Sequence, residues 1–147
     1  MSTIEHSRST ISTAKPSVTI AASPSRQAYL ILYAGFILLP ILAGLDKFFH
    51  LLVNWDMYLA PLATRVLPVS AHTFMLVVGV IEVVAGLLVL FRPQIGAYVV
   101  AFWLWGITLN LLLIPGFYDI AVRDFGLSLG ALALARLSQE FRGETIN

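Results

Sequence analysis

The chain has 147 residues, of which 59% are hydrophobic and only 12% charged, and its mean hydropathy is +0.87. Soluble domains carry about a quarter charged residues, so apolar surface here faces lipid instead of enclosing a large aqueous-protein core. A net charge of +1 with no Lys/Arg-rich run excludes nucleic acid as a partner. The absence of cysteine excludes disulfides, thiolate metal sites and quinone-linked disulfide chemistry.

Residues 1–26 are rich in Ser and Thr and hold no apolar run long enough for a signal-peptide core. They read as a disordered cytoplasmic tail. From Ala28 to Leu45 eighteen residues pass without a charge, which is the length of a membrane-spanning helix. Pro40 inside this run frees the carbonyl of Phe36 and predicts a kink. A long connection, Leu52 to Ala71, follows. Trp55, Tyr58, Leu59, Leu62 and Val66 fall on one helical stripe in it, predicting an interfacial half-helix broken by Pro61 and ended by Pro68.

The second span runs from Thr73 to Phe91 with Glu82 as its one charge, and the third from Ile95 to Ile114 with none. The fourth apolar run, Phe125 to Ala135, has eleven residues and reaches only about 16 Å. To cross a ~30 Å hydrocarbon core it must begin near Tyr118 and take Asp119, Arg123 and Asp124 with it. The expected architecture is an all-α integral membrane four-helix bundle over residues 27–138, with an interfacial half-helix between spans one and two and a short cytoplasmic tail at 139–147. Arg8, Lys15, Arg26, Arg92, Arg136 and Arg142 fall on one side of such a bundle and Lys47, Arg65 and Arg123 on the other. That bias predicts both termini in the cytoplasm.

Counting at ~1.5 Å per residue from the cytoplasmic edge puts Glu82 about 15 Å up, Arg123 and Asp124 at about 18–20 Å, Asn110 near 22 Å and Asp46 and Lys47 near 30 Å. Every intramembrane polar group therefore falls in the outer half. An unpaired charge at the midplane costs at least ~3 kcal/mol, so Glu82 needs a partner, and depth nominates Arg123. Asp119 and Arg123, four apart, can pair at the rim, as Asp46 and His50 can share a face. Three acids against two bases in the set Asp46, Lys47, Glu82, Arg123 and Asp124 leave one carboxyl protonated or open to a ligand.

Four readings compete for this cluster. A metal site would draw on Asp46, His50, Glu82 and His72, but nothing marks the remaining ligands, and no metal centre is expected. A bis-His haem would use His50 and His72, positions where a hydrogen-bonded interfacial histidine is commoner. A quinone or proton-handling pocket would combine Glu82, Asn110 and an aromatic wall of Phe102, Trp103 and Trp105. The structural alternative is one buried polar network that fixes helix register. Gly126 and Gly130, with Gly79, Ala85 and Gly86, predict close helix approach.

AGLDKFFHLL at the end of span one, VVGVIEVVAGLLVLF in span two and YDIAVRDFGLSLGALALARL in span four resemble the corresponding helices of DoxX-like membrane proteins. The resemblance covers Ala28 to about Leu137 and implies a four-helix membrane bundle. Some DoxX relatives are subunits of quinone-reducing or terminal-oxidase assemblies, and others act in maturation of periplasmic redox proteins. By position, Lys47, Glu82, Arg123 and Asp124 match the family's polar residues; His50, Asn110, Trp103 and Trp105 have no counterpart in the pattern. The resemblance implies redox association in a bacterial inner membrane, as an accessory subunit and not an enzyme on its own, with a membrane protein or a second copy as partner. Taken with the polar cluster read from the residues, the expected quinone site is Glu82, Arg123, Asp124, Lys47, Asn110 and Asp46.

Overall fold

A computed structural model describes residues 23–142, and within them the chain is all α-helical. The proposed disorder of residues 1–22 and the tail beyond 142 lie outside the described residues. Helix α1 (Pro24–Phe49) starts four residues earlier than the apolar run requires, because Pro24 occupies the first turn and the Ser23 hydroxyl accepts the Arg26 N–H at 3.3 Å. It runs unbroken through Pro40. It ends at His50, whose backbone is left-handed at φ +53° and whose N–H bonds the Asp46 carbonyl at 2.7 Å.

Helix α3 (Ala71–Phe91) is capped by Ser70, and α4 (Pro93–Leu112) begins immediately after the single linking residue Arg92. Arg92 is extended (φ −141°, ψ 71°), as a residue preceding proline is driven to be. A tight turn then passes through Gly116, at φ +97° a conformation glycine adopts without steric cost, into α5 (Tyr118–Glu140). Helices α1, α3 and α4 are long and apolar enough to cross a membrane. Helix α5 has 23 residues, about 34 Å, but Asp119, Arg123, Asp124 and Arg136 interrupt its apolar character.

The four long helices form a ring in which α1 packs on α3, α3 on α4, α4 on α5 and α5 on α1. Contacts at the ends show that α1 is antiparallel to both its neighbours. Near its start the Tyr33 hydroxyl donates to the Leu90 carbonyl at the end of α3, and the Tyr29 ring lies 5.2 Å from that of Phe141, just past α5. Small side chains close this half of the bundle: Ala97, Ala131, Ala135, Val89 and Leu134 are fully buried and pack with Phe36, Ala85, Val100 and Ala101. The closest approach of α1 and α3 is at Gly44 and Gly79. A Cβ on Gly79 would sit 2.7 Å from the Gly44 carbonyl oxygen and 3.1 Å from the Lys47 Cβ. The expected pair in α5 behaves otherwise: Gly126 faces open space and Gly130 meets only Phe36 and Leu32.

The connector between α1 and α3 holds a 3-10 turn (Trp55–Tyr58) and a six-residue helix, α2 (Pro61–Val66). Pro61 starts α2, where its missing N–H costs nothing, instead of breaking a longer helix. The extended backbone at Leu59 and Ala60 separates the two pieces, so the expected stripe divides. Leu59 is buried with Met75 and Val78, flanked by Trp55, Tyr58 and Trp103, while Leu62 and Val66 face outward. Around the ring Leu38, Leu42, Val80, Val84, Phe102, Leu109, Val122 and Phe125 are exposed. So continuous an apolar exterior is far beyond what a water-facing monomer carries, and it suits contact with lipid.

Candidate functional site

Between the four long helices, in the half covered by the connector, lies a cavity of about 630 Å³. Its walls are predominantly apolar, from Phe36, Leu39, Ala43, Met75, Val78, Val100 and Ile107, with Trp55, Tyr58, Phe74 and Trp103 as the aromatic surface. Five of the six polar residues singled out in the sequence line it: Lys47, Glu82, Asn110, Arg123 and Asp124. Asp46 does not. The expected aromatic wall is only one-third present, because Phe102 and Trp105 stack edge to face at 5.2 Å on the outside of α4. Trp105 donates its indole N–H to Ser128 at 2.8 Å, tying α4 to α5.

Glu82 is paired, but with Lys47 and not with Arg123. The Lys47 Nζ to Glu82 Oε2 distance is 2.6 Å, and both side chains are almost fully buried. Two features of the backbone explain the exchange of partners. The Gly44–Gly79 contact brings α1 against α3 one turn from Glu82, and a helical side chain leans toward its helix's N-terminus, which sends the Lys47 ammonium inward from its own depth. Arg123, in contrast, is on α5, diagonal to α3 in the ring, with the cavity between. Neither an Arg123–Glu82 nor an Arg123–Asp119 salt bridge forms. The Lys47 ammonium is also covered by the Trp55 ring, 3.8 Å from its centroid, a desolvated cation–π contact.

Asp46 points away from the cavity and organises the connector. Its carboxylate accepts the N–H groups of Leu51 (2.9 Å) and Leu52 (3.1 Å) and the Trp55 indole N–H (2.7 Å). It thereby sets the Trp55 ring that covers Lys47. With Asp46 so occupied, the cavity holds two acids and two bases, and the charge count no longer leaves a carboxyl in excess. Asp124 lies within electrostatic reach of both Lys47 and Glu82, so the four charges form one cluster.

Asn110 is a clamp. Its amide donates to the Tyr58 carbonyl at 2.6 Å and accepts the Ala60 N–H at 3.0 Å, fastening the connector to α4 at the cavity's rim. Trp103 is the exception to this satisfaction. Its indole N–H is buried facing the Glu82 carboxylate and interacts with it, outside the geometry of a full hydrogen bond. A ligand acceptor entering the cavity would compete with that carboxylate for the N–H.

The proposed metal set also separates. Asp46 and Glu82 are engaged elsewhere, whereas His50 and His72 do come together, with ring centroids 5.4 Å apart and stacked. They are joined by Asp56, which the sequence reading did not single out. No pattern marks it, since it is brought there by the 3-10 turn. Comparison of the chain with protein-family profiles, with curated proteins and with solved structures gave no match.

Proposed function

We propose that the protein is a DoxX-like, four-span protein of a bacterial inner membrane whose connector-side cavity holds a quinone headgroup, and that it serves as an accessory subunit of a quinone-linked redox or respiratory assembly. Both termini are then cytoplasmic and the cavity lies in the outer half of the bilayer. The observation that carries the reading is the cavity itself: about 630 Å³, apolar and aromatic, with a small set of convergent polar groups in Lys47, Glu82, Asn110, Arg123 and Asp124. Ligand sites have this composition. A quinone offers carbonyl oxygens to the Trp103 N–H and the Arg123 guanidinium, and a flat ring to Trp55, Tyr58 and Phe74. Its isoprenoid tail suits the apolar lower wall of Phe36, Leu39 and Val100. The sequence of α1, α3 and α5 adds the family resemblance, which favours redox association.

Protein purified from native membranes in mild detergent is expected to retain quinone, extractable and quantifiable by mass spectrometry, and Trp103→Phe to retain much less while folding normally. Wild-type protein that carries no quinone and takes none up from quinone-loaded liposomes would sink the proposal. The same purification identifies any partner subunit.

A second reading rests on a specific observation. The Lys47–Glu82 pair, Asp46 and Asn110 each have internal partners and tie α1, α3, α4 and the connector together. A structural or assembly protein, with the charges as a clasp and no ligand, uses those same bonds. It leaves the cavity without a role, and it predicts no quinone.

A further inference from the structure

His50, Asp56 and His72 lie outside the cavity and take no part in the reading above. They come from three separate elements: the residue after α1, the 3-10 turn of the connector and the first turn of α3. One ligand-capable atom from each lies within 4.8 Å of the other two. His72 Nδ1 and Asp56 Oδ2 are 3.4 Å apart, the edge length of a tetrahedral site with bonds of about 2.0–2.1 Å. The remaining separations exceed that edge by at most about 1.4 Å, a gap that small rotations of the two imidazole rings close.

Two further observations point the same way. Asp56 Oδ1 is buried and has no hydrogen-bond partner, so the carboxylate keeps an acceptor oxygen unused. His50 is the one non-glycine among the described residues with positive φ. Strain of that kind collects where a side chain must be aimed at a site. That conformation is held by the Asp46 carboxylate, one turn before it, which fixes Leu51, Leu52 and Trp55 after it. Two imidazoles and one carboxylate are a borderline-soft donor set, suited to zinc and poorly matched to calcium or magnesium, which prefer all-oxygen cages.

We propose that His50, Asp56 and His72 form a three-ligand site for a divalent transition metal, zinc in the first instance, at the connector end of the bundle. The fourth position is open to water or a ligand from outside. Because the ligands span α1, the connector and α3, the metal staples the connector over the end of the bundle.

The test uses full-length protein in detergent, freed of metal by chelator and titrated with zinc chloride by calorimetry, with calcium chloride as the second probe. One zinc per chain is expected, with His72→Ala and Asp56→Asn each weakening binding roughly tenfold or more. His6→Ala should leave it unchanged, since His6 is the remaining histidine in the sequence. Zinc should raise the Tm of wild-type protein and not that of His72→Ala; the exposed His72 makes that variant safe for folding. No saturable zinc binding, equal binding by His72→Ala, loss of binding with His6→Ala, or preference for calcium would each overturn the assignment. None of these outcomes depends on quinone occupancy.

Discussion

The two halves of the bundle are built on opposite principles. In the half that holds the start of α1 and the end of α5, alanine, valine and leucine interlock with no exposed surface at Val89, Ala97, Ala131, Leu134 or Ala135. In the half beneath the connector, aromatic rings and four charged side chains stand around about 630 Å³ of space. Close packing is the ordinary condition of a protein interior. A helix bundle that is solid at one end and hollow at the other therefore has something holding the hollow end apart, and here that is the Lys47–Glu82 pair and the connector clamped by Asp46 and Asn110. The difference teaches where function and stability lie: the solid half keeps the helices together, and the hollow half is held in a shape it would not choose by packing alone.

The comparison can be broken first at the ion pair. Glu82→Gln leaves the Lys47 charge buried without its partner, and a loss of about 3–5 kcal/mol is expected in detergent unfolding. Lys47→Met combined with Glu82→Leu should recover most of it, because two apolar side chains remove the desolvation cost together. Additive losses in the double variant would contradict the pairing.

Leucine substitutions sharpen the contrast between the halves. Ala131→Leu, in the solid half, should cost about 1–3 kcal/mol or more by overpacking. Ala43→Leu, facing the cavity, should change the unfolding midpoint little and reduce the space for a ligand. Equal damage from both would mean that the cavity closes in the membrane. At the rim, Asn110→Ala removes two bonds to the Tyr58 and Ala60 backbone and should cost about 1–3 kcal/mol. Hydrogen exchange should accelerate over residues 55–60 while α5 keeps its protection. The smallest effect is expected at Gly126→Ala, which meets open space, against a clear loss for Gly79→Ala, whose Cβ would strike the Gly44 carbonyl.

Much of the helix plan was legible in the sequence, and the exceptions have physical causes. The apolar runs locate α1, α3 and α4 because hydropathy is a property of single residues summed along the chain. Helix α5 begins at Tyr118, where the length of a bilayer crossing required it to begin. The half of the bundle holding Lys47, Glu82, Asn110, Arg123 and Asp124 also followed from depth counting. Pairing did not follow, because depth along an axis says nothing about which helices are neighbours. The ring order puts Arg123 diagonal to Glu82. Gly79 was legible as a small surface in span two, but nothing in the sequence marks Gly44 as its counterpart, and that contact decides for Lys47. The connector failed for a related reason: Trp55 and Leu62 obey one helical period in the sequence, but Leu59 and Ala60 are extended between them. Asp56 was invisible because a metal-ligand pattern assembled from three elements leaves no spacing to read.

The central claim is that the hollow half exists to hold a quinone. Trp55 and Trp103 line the cavity and Trp105 does not, so tryptophan fluorescence reports on it directly. Titration of purified wild-type protein with a short-chain quinone should give saturable quenching of most of the emission, lost in Ala43→Leu and much reduced in Trp103→Phe. Quenching that is linear, unsaturable and the same in Ala43→Leu would contradict the account and leave the charges as a clasp.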